Sequence, residues 1–298
     1  MPNAERETWV RIAREMLWVA LVAAACATAH AEVSIPRAVY TDPPHDARFP
    51  ASMVVIHVPT HGLAINGIAY VPAGAGPYPV LVICHGLPGN EKNLDLAQAA
   101  RRAGWVAVTF NYRGSWGSPG RFSFLGNLED AAAVLAYLRE PANAKALRAD
   151  AKRIVMAGHS MGGWVAAQTG ARDAALAGVI LISAWDPAAL KTHEQAVALM
   201  SSDMETLAGV TPQSMAAELE MHRHEVALAG TAAGLIGHPL LVLSADDGLA
   251  PATDALVASL RARGDRRVTA VHVATDHGWS DRRIELQARV IRWLQSLP

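Results

Sequence analysis

The sequence is poor in cysteine, with only Cys26 and Cys84 among its 298 residues. Cys84 ends the apolar run VLVIC, where a small buried side chain is the favoured interpretation over a nucleophile. If the N-terminal segment before Glu32 is removed, Cys84 is left without a partner for an internal disulfide. Cysteine usage therefore indicates neither an oxidising nor a reducing compartment.

An excess of charge of one sign is also missing. Lysine and arginine number 26 against 27 acidic residues, which gives a formal net charge of −1. The sequence shows no basic stripe of the kind that nucleic-acid-binding proteins use, so nucleic acid is excluded as a partner. Apolar residues make up 51% of the chain and charged residues 18%. This composition is typical of a globular protein with a large core.

Apolar runs long enough for a comfortable membrane span are lacking as well. The apolar run over residues 16–29 is shorter than the roughly 20 residues that a bilayer requires. Basic residues precede it and the small residues Ala29 and Ala31 follow, which predicts a signal peptide or N-terminal anchor over residues 1–31. We expect an exported chain, periplasmic or secreted, without stable membrane association once the signal is cleaved. Retention as a membrane anchor and lipid attachment at Cys26 are the alternatives.

Six short β-rich runs follow, and most are continuously apolar, as in strands buried on both faces of a parallel sheet. They cover residues 80–84, 106–110, 153–157, 179–183, 240–244 and 268–273. Helical spacing of apolar residues occurs between them, with Asn127 and Ser280 as expected caps of two helices. This alternation predicts an α/β fold with a mainly parallel sheet and helices on both faces.

Two departures from the alternation refine the fold. The runs MVVIHV and INGIAYV have no helix between them and predict antiparallel strands at the N-terminal edge of the sheet. About fifty residues separate the strands at 179–183 and 240–244, far more than the usual connection of about 2–6 residues. Helix starts at Asp186-Pro187 and Thr211-Pro212 predict a helical lid insertion over about 184–237. We expect residues 32–298 to form one domain.

The stretch AGHSMGGW places Ser160 between two glycines, Gly158 and Gly162. It is either an activated nucleophile or an ordinary serine where a strand turns into a helix. A predicted strand precedes Ser160 and a helical pattern follows, which is the context of a nucleophile elbow. Glycines allow such a tight turn because they lack the β-carbons that would collide there. We therefore predict that Ser160 is a nucleophile.

A serine hydroxyl needs a base, and the base needs an orienting acid. His277 lies just after the last predicted strand, whereas His272 lies within that strand and is interpreted as structural. The acid is expected after the strand at 240–244, where Asp246 and Asp247 are both available. The chain order serine, aspartate, histidine is that of the α/β-hydrolase arrangement.

Backbone donors for an oxyanion are predicted at Leu87, after the strand at 80–84, and at Met161, directly after the nucleophile. His85 is interpreted as a loop-ordering side chain. Trp116 and Trp185 lie near predicted site loops and are candidate substrate contacts, with simple packing as the alternative. His222 and His224 are two positions apart and would point away from each other on a helix, so no metal is expected.

Three stretches, HGLPGN, FNYRGSWGSPGRF and GHSMGG, together give the chain a resemblance to the α/β-hydrolase superfamily over roughly residues 52–298. The branch it most resembles includes prolyl-oligopeptidase-type catalytic domains and dienelactone-hydrolase-like esterases. The resemblance implies that Asp247 is the acid and His277 the base, and it places the loop 111–115 near the active site. The peptidases of this branch carry a large propeller domain before the catalytic domain, for which we expect no room in these 298 residues, and some use a tyrosine oxyanion donor near the place of Leu87. The dienelactone-type enzymes use a cysteine nucleophile, where this sequence has Ser160.

These observations predict a serine hydrolase that cleaves small carboxylic esters through an acyl-enzyme, without a cofactor. A serine peptidase similar to aminopeptidases or acyl-peptide hydrolases is one alternative. A catalytically inactive binding protein with the same fold is another. The sequence specifies neither the acyl chain, the leaving group nor the oligomeric state.

Overall fold

The computed structural model describes residues 34–202 and 204–298. The signal peptide or anchor predicted over residues 1–31, including Cys26, lies outside the described residues. Within the two described ranges, helices are either too short or too polar to cross a bilayer.

The core of the molecule is one eight-stranded sheet with the order β1-β2-β4-β3-β5-β6-β7-β8. Only the pairs β1–β2 and β2–β4 are antiparallel, and the other neighbours are parallel. This arrangement confirms the predicted antiparallel edge and the mainly parallel sheet. The strands are β1 (Ser52–Thr60), β2 (Leu63–Val71), β3 (Tyr78–Cys84), β4 (Val106–Phe110), β5 (Ala149–His159), β6 (Gly178–Ile182), β7 (Leu240–Ala245) and β8 (Val268–Val273).

Helices cover both faces of this sheet, which explains the continuously apolar strands. Every residue of β4, β6 and β7 is buried, whereas the edge strand β1 alternates between exposed and buried positions. The helices are α1 (Arg37–Tyr40), α2 (Leu94–Arg102), α3 (Phe124–Arg139), α4 (Pro141–Ala146), α5 (Met161–Gly170), α6 (His193–Met200), α7 (Pro212–Met221), α8 (Arg223–Val226), α9 (Ala232–Leu235), α10 (Ala250–Ala262) and α11 (Arg283–Ser296). Apolar residues of α3, α5 and α10 join one core cluster, and those of α2 and α11 join the other.

Two predicted helix caps were wrong. Helix α3 begins one turn earlier than expected, because Phe124 is buried and Ser123 caps the helix by accepting the Gly126 N–H at 3.0 Å. Asn127 lies inside this helix and is almost fully buried. Ser280 does not cap α11, which has no side-chain cap; the N–H of Ser280 instead donates to Asp276 Oδ1 at 2.7 Å.

The segment between β6 and β7 contains α6, α7, α8 and α9. Thr211 caps α7 as expected, whereas Asp186 caps only a short 3₁₀ turn, Pro187–Ala189. Two contacts fasten this segment to the face that carries α3 and α5. Glu218 Oε1 accepts the N–H of Leu125 at 3.0 Å, and Trp164 Nε1 donates to the carbonyl of Val226 at 2.6 Å.

Candidate active site

Ser160 occupies a strained turn between β5 and α5. Its backbone has φ 57° and ψ −121°, a region that residues with a side chain rarely adopt. The turn is held because the Ser160 N–H donates to the carbonyl of Ile182 at 2.9 Å and the Trp185 N–H donates to the carbonyl of Ser160 at 3.0 Å. In the part of the chain that the structure describes, the Ser160 hydroxyl forms no hydrogen bond, and the ring of His277 is bonded to Asp247 alone, so transfer of the Ser160 proton to His277 stays a prediction.

Close backbone contacts around Ser160 require glycine at positions 158 and 162. A methyl group at Gly162 would lie 2.1 Å from the carbonyl oxygen of Cys84. One at Gly158 would lie 1.9 Å from the carbonyl oxygen of Gly162. The absence of both β-carbons therefore lets helix α5 begin directly against β3 and β5.

His277 and Asp247 form a hydrogen-bonded pair at the same sheet edge. His277 Nδ1 lies 2.8 Å from Asp247 Oδ2. The Asp247 side chain is 3% exposed and that of His277 is 42% exposed. An ionised carboxylate can only accept, so Nδ1 carries the proton and Nε2 of a neutral ring is left with its lone pair. This tautomer is the one that a general base needs.

The neighbouring carboxylate, Asp246, points elsewhere. Its side chain is 62% exposed and its Oδ1 lies 2.8 Å from Nε2 of His272. The Nδ1 of His272 in turn lies 3.0 Å from Ser244 Oγ on β7. The structure thus gives the two adjacent aspartates separate histidine partners, and it is Asp247 that contacts His277.

The surroundings of Asp247 favour its ionised form. Burial acts to raise the pKa of Asp247, but hydrogen bonds from His277, the Leu249 N–H and Ser183 outweigh burial and hold the pKa below its ordinary value. The Leu249 N–H lies 3.0 Å from Asp247 Oδ1. A carboxylate whose charged form is favoured at this place stabilises the positive ring that His277 becomes when it takes a proton.

His159 contacts His277 through its ring and through a hydrogen bond. The sequence did not single out His159, although it lies within GHSMGG. Its Nε2 donates to the carbonyl of His277 at 2.8 Å, and the two rings lie 4.6 Å apart. Burial, together with the nearby charge of His277, lowers the pKa of His159 to about 4. His159 is therefore neutral at neutral pH and acts as a fixed hydrogen-bond donor.

The loop after β3 lies directly beside the nucleophile. A methyl group added to Gly86 would lie 3.1 Å from Ser160 Cβ and 3.6 Å from its Oγ. The next residue is Leu87, whose N–H is the predicted oxyanion donor. Throughout residues 34–202 and 204–298, no hydrogen-bond acceptor engages the N–H of Leu87 or that of Met161. Their role as oxyanion donors stays a prediction.

His85 and Trp116 shape this loop. His85 Nδ1 donates to the carbonyl of Gly86 at 2.8 Å, and burial lowers the pKa of His85 to about 4, so the ring is a neutral structural group. Trp116 Nε1 donates to the carbonyl of Pro88 at 2.7 Å, and Lys92 Nζ lies 4.2 Å from the centre of the Trp116 ring. Substrate contact by Trp116 stays a prediction, but its polar atom is already engaged.

Trp185 is buried and packs against Phe124, with 5.9 Å between ring centres. Its substrate contact also stays a prediction. Cys84 is fully buried, and burial raises the pKa of its thiol to about 12, which fits the structural interpretation made from the sequence.

A cavity of about 690 Å³ opens between the loop after β3 and the loop that follows His277. Charged side chains line it, among them Glu91, Lys92 and Arg283. Arg283 is engaged by Asp95, with 2.9 Å between Nε and Oδ2, and donates to the carbonyl of Gly278 at 3.0 Å. The cavity therefore combines charged side chains with apolar surface, and Gly278, the residue after the candidate base, lies on its wall. No cluster of metal-binding side chains occurs among the described residues.

Comparison with known proteins identifies the fold. Among curated sequences, an uncharacterized protein of Mycobacterium tuberculosis is 30% identical over 118 residues, and the match spans 39% of this chain and 40% of that protein. The chain is thus matched to less than half the length of this relative.

Solved structures align over most of the chain. An esterase from Pyrobaculum calidifontis has a TM-score of 0.62 at 22% identity and covers 84% of this chain and 87% of its own. An acylaminoacyl peptidase from Pyrococcus horikoshii has a TM-score of 0.62 at 18% identity, covering 82% of this chain and 41% of its own. The carboxylesterase EstE1 from a metagenomic library has a TM-score of 0.61 at 21% identity, covering 83% of this chain and 90% of its own. At these identities the likeness concerns the fold.

A family model described as alpha/beta hydrolase fold matches residues 86–281, which include Ser160, Asp247 and His277. Together with the sheet order and the position of the strained serine, this match shows that the chain belongs to the α/β-hydrolase fold family.

Proposed function

We propose that the chain is a serine hydrolase that cleaves small carboxylic esters through an acyl-enzyme. The observation that carries the proposal is the hydrogen bond of 2.8 Å between His277 and the buried Asp247, on the same sheet edge as a serine held at positive φ. A buried carboxylate bound to a histidine Nδ1, next to a strained serine, is the arrangement that activates a hydroxyl for acyl transfer.

In the first half of the reaction, Ser160 Oγ attacks the ester carbonyl carbon while His277 Nε2 takes the hydroxyl proton. The N–H groups of Leu87 and Met161 bind the negative charge that forms on the carbonyl oxygen. Asp247 stabilises the charged ring of His277. The ring then gives its proton to the departing alcohol, which leaves an acyl group on Ser160.

Water completes the second half. His277 takes a proton from water, the resulting hydroxide attacks the acyl group, and the acid is released as Ser160 regains its proton. No cofactor enters these steps. The hydrogen bond between Ser160 and His277 is not formed in the structure and is expected to form when substrate binds, since such bonds are often long or poorly aligned in free enzymes.

Labelling by a fluorophosphonate tests this proposal. The probe forms a covalent bond with an activated serine, so we expect labelling of the native chain and none of the Ser160→Ala variant. Ser118→Ala is the matched control, because Ser118 is a buried serine that donates to the carbonyl of Asn111 and takes no part in the proposed steps. Absence of Ser160-dependent labelling would favour the inactive binding protein.

Peptide substrates are a second candidate, favoured by the charged side chains that line the cavity reaching Gly278. A carboxylate there could hold a peptide amine. Glu91 Oε1 accepts the Asn93 N–H at 2.5 Å and lies 3.6 Å from Arg283, which leaves the second carboxylate oxygen for such a contact. Rates on p-nitrophenyl acyl esters, thioesters and aminoacyl amides separate the two candidates. We expect the ester rates to exceed the amide rates, and the reverse order would assign a peptidase.

A further inference from the structure

The base loop, residues 274–282, is held by side chains at two consecutive carbonyl groups. The carbonyl of His277 accepts from His159 Nε2 at 2.8 Å, and the carbonyl of Gly278 accepts from Arg283 Nη1 at 3.0 Å. His159 ends β5, whereas Arg283 begins α11. The backbone at the candidate base is therefore fastened from two different elements, and no step of the proposed reaction uses Arg283.

Arg283 is itself fixed by the start of α2 and the loop before it, residues 85–93. Its Nε lies 2.9 Å from Asp95 Oδ2, and its Nη2 contacts Asp95 Oδ1 and donates to Asn93 Oδ1 at 3.1 Å. A guanidinium carries its donors in a rigid planar fork, so it can bind a carboxylate on one side and a carbonyl on another. The two-point contact with Asp95 sets the orientation of the fork as well as its position.

The Asp95 carboxylate is a fixed and charged anchor. Its Oδ1 accepts the N–H of Leu96 at 2.8 Å, and its Oδ2 accepts from Gln287 Nε2 on α11 at 2.9 Å. Burial acts to raise the pKa of Asp95, but hydrogen bonds and the charge of Arg283 outweigh burial and hold the pKa below its ordinary value. Because the Arg283 side chain is only 20% exposed, water screens this pair less than a pair on the open surface.

We propose that Arg283 is a positioning residue that holds the base loop for proton transfer at His277, with Asp95 as its anchor. This inference rests on the proposed function, since it assigns both residues to the same reaction. The loop before α2 contains Leu87, the predicted oxyanion donor. Arg283 thus joins the base loop to the loop of that donor, as His159 joins the base loop to the strand of the nucleophile. Proton transfer needs close hydrogen-bond geometry, so a base loop that has lost this contact should react more slowly.

The kinetic test compares Arg283→Gln and Asp95→Asn with the native chain on p-nitrophenyl acetate. Both substitutions keep a polar side chain of similar shape and remove the charge. We expect kcat to fall about tenfold in each variant with KM nearly unchanged, as for loss of one hydrogen bond between charged groups. The double variant should lose little more than either single variant, because the two side chains act as one unit.

Arg283→Lys separates positioning from charge. It keeps the positive charge, but a single ammonium lacks the planar fork that holds Asp95 and the Gly278 carbonyl together. We therefore expect its kcat to stay near that of Arg283→Gln. Native kcat in folded Arg283→Lys protein would contradict the inference.

Arg289→Gln is the matched control on the same helix. The Arg289 side chain is 21% exposed, and its Nε and Nη2 lie 2.9 and 2.6 Å from Glu285 Oε1, one turn away on α11. Its substitution removes a comparable arginine pair without touching the base loop, so kcat should equal that of the native chain.

Hydrogen exchange of the base loop separates this inference from the proposed function, because it needs no activity. The Trp279 N–H donates to the carbonyl of Asp276 at 3.0 Å, and the Ser280 N–H donates to Asp276 Oδ1 at 2.7 Å. These two N–H groups exchange slowly only while the loop keeps its turn. We expect both to exchange faster in the Arg283 and Asp95 variants than in the native chain or the control, even if the native chain hydrolyses no ester.

The two measurements together decide the inference. Unchanged exchange in folded Arg283→Gln and Asp95→Asn protein would show that the pair does not hold the base loop, whatever the activity. If the native chain is active, faster exchange with native kcat would show that the pair only stabilises the fold and does not position the base.

Discussion

His159 and His277 contact each other in two ways, through rings 4.6 Å apart and through a hydrogen bond of 2.8 Å from His159 Nε2 to the carbonyl of His277. His159 ends β5, the strand that also presents Ser160. The loop of the candidate base is therefore fastened to the strand of the candidate nucleophile. The lowered pKa of His159 keeps this ring neutral near neutral pH, so it adds no second positive charge beside a protonated His277.

Acidification should weaken the fold through His159 and His85. Burial lowers both pKa values from 6.5 to about 4, so the unfolded chain binds protons that the folded chain does not. The stabilisation is present above about pH 6.5 and is lost as pH falls toward 4, by about 3 kcal/mol for each histidine. We expect denaturant unfolding to show this loss, and His159→Phe to reduce its size. His45→Gln, at an exposed position, should leave the pH dependence as it is.

Replacing the two adjacent aspartates should have very different effects. Asp247→Asn puts an amide where His277 needs an acceptor, which disfavours the reactive tautomer, and we expect kcat to fall by about 10⁴-fold. Asp246→Asn changes only the exposed contact with His272 and should cost far less. Steady-state kinetics on an ester substrate measure both. The opposite ranking would move the role of acid to Asp246.

The sheet and the site loops were predictable from the sequence because they depend on local patterns. Buried parallel strands are continuously apolar. A strand followed by G-x-S-x-G and then by a helix is the pattern that specifies the turn around Ser160. The choice between Asp246 and Asp247 needed a resemblance, since nothing in SADDGLAP shows which side chain turns inward. In the structure, Asp246 is hydrogen-bonded to His272 on the edge strand β8, whereas Asp247 contacts His277.

Contacts between distant segments could not be predicted. Arg283 and Asp95 are 188 positions apart, and neither belongs to a motif with a fixed spacing. The expected caps at Asn127 and Ser280 were wrong for a related reason. Helix starts depend on tertiary packing as well as on the capping residue, and the burial of Phe124 moves the start of α3 back by one turn.

A methyl group at Gly162 should abolish the native turn. It would lie 2.1 Å from the carbonyl oxygen of Cys84, in backbone that cannot move without breaking the contact of β3 with α5. We expect Gly162→Ala to cost more than about 3 kcal/mol of unfolding free energy, as overpacking against rigid backbone does. Gly230→Ala is the matched control, since a methyl group there meets nothing within 4 Å. Equal stability of the two variants would contradict the steric argument.

Glu218 should hold the segment between β6 and β7 onto the rest of the domain. Its carboxylate accepts from Ser123 Oγ at 2.6 Å and from the Leu125 N–H at 3.0 Å, at the N-terminal end of α3. A negative charge is favourable at that end because it meets the positive pole of the helix dipole. Glu218→Gln keeps the shape and removes the charge, so we expect a loss of about 1 kcal/mol of unfolding free energy.

A double-mutant cycle with Ser123→Ala should show a coupling of about 1 kcal/mol between the two positions. Glu220→Gln is the control on the same helix, because Glu220 contacts His193 within the segment and does not reach α3.

If this segment covers the site and selects the substrate, Glu218→Gln should also raise KM for bulky esters more than for acetyl esters. A variant with weakened stability but equal KM values across the ester series would show that the segment is anchored there without taking part in substrate selection.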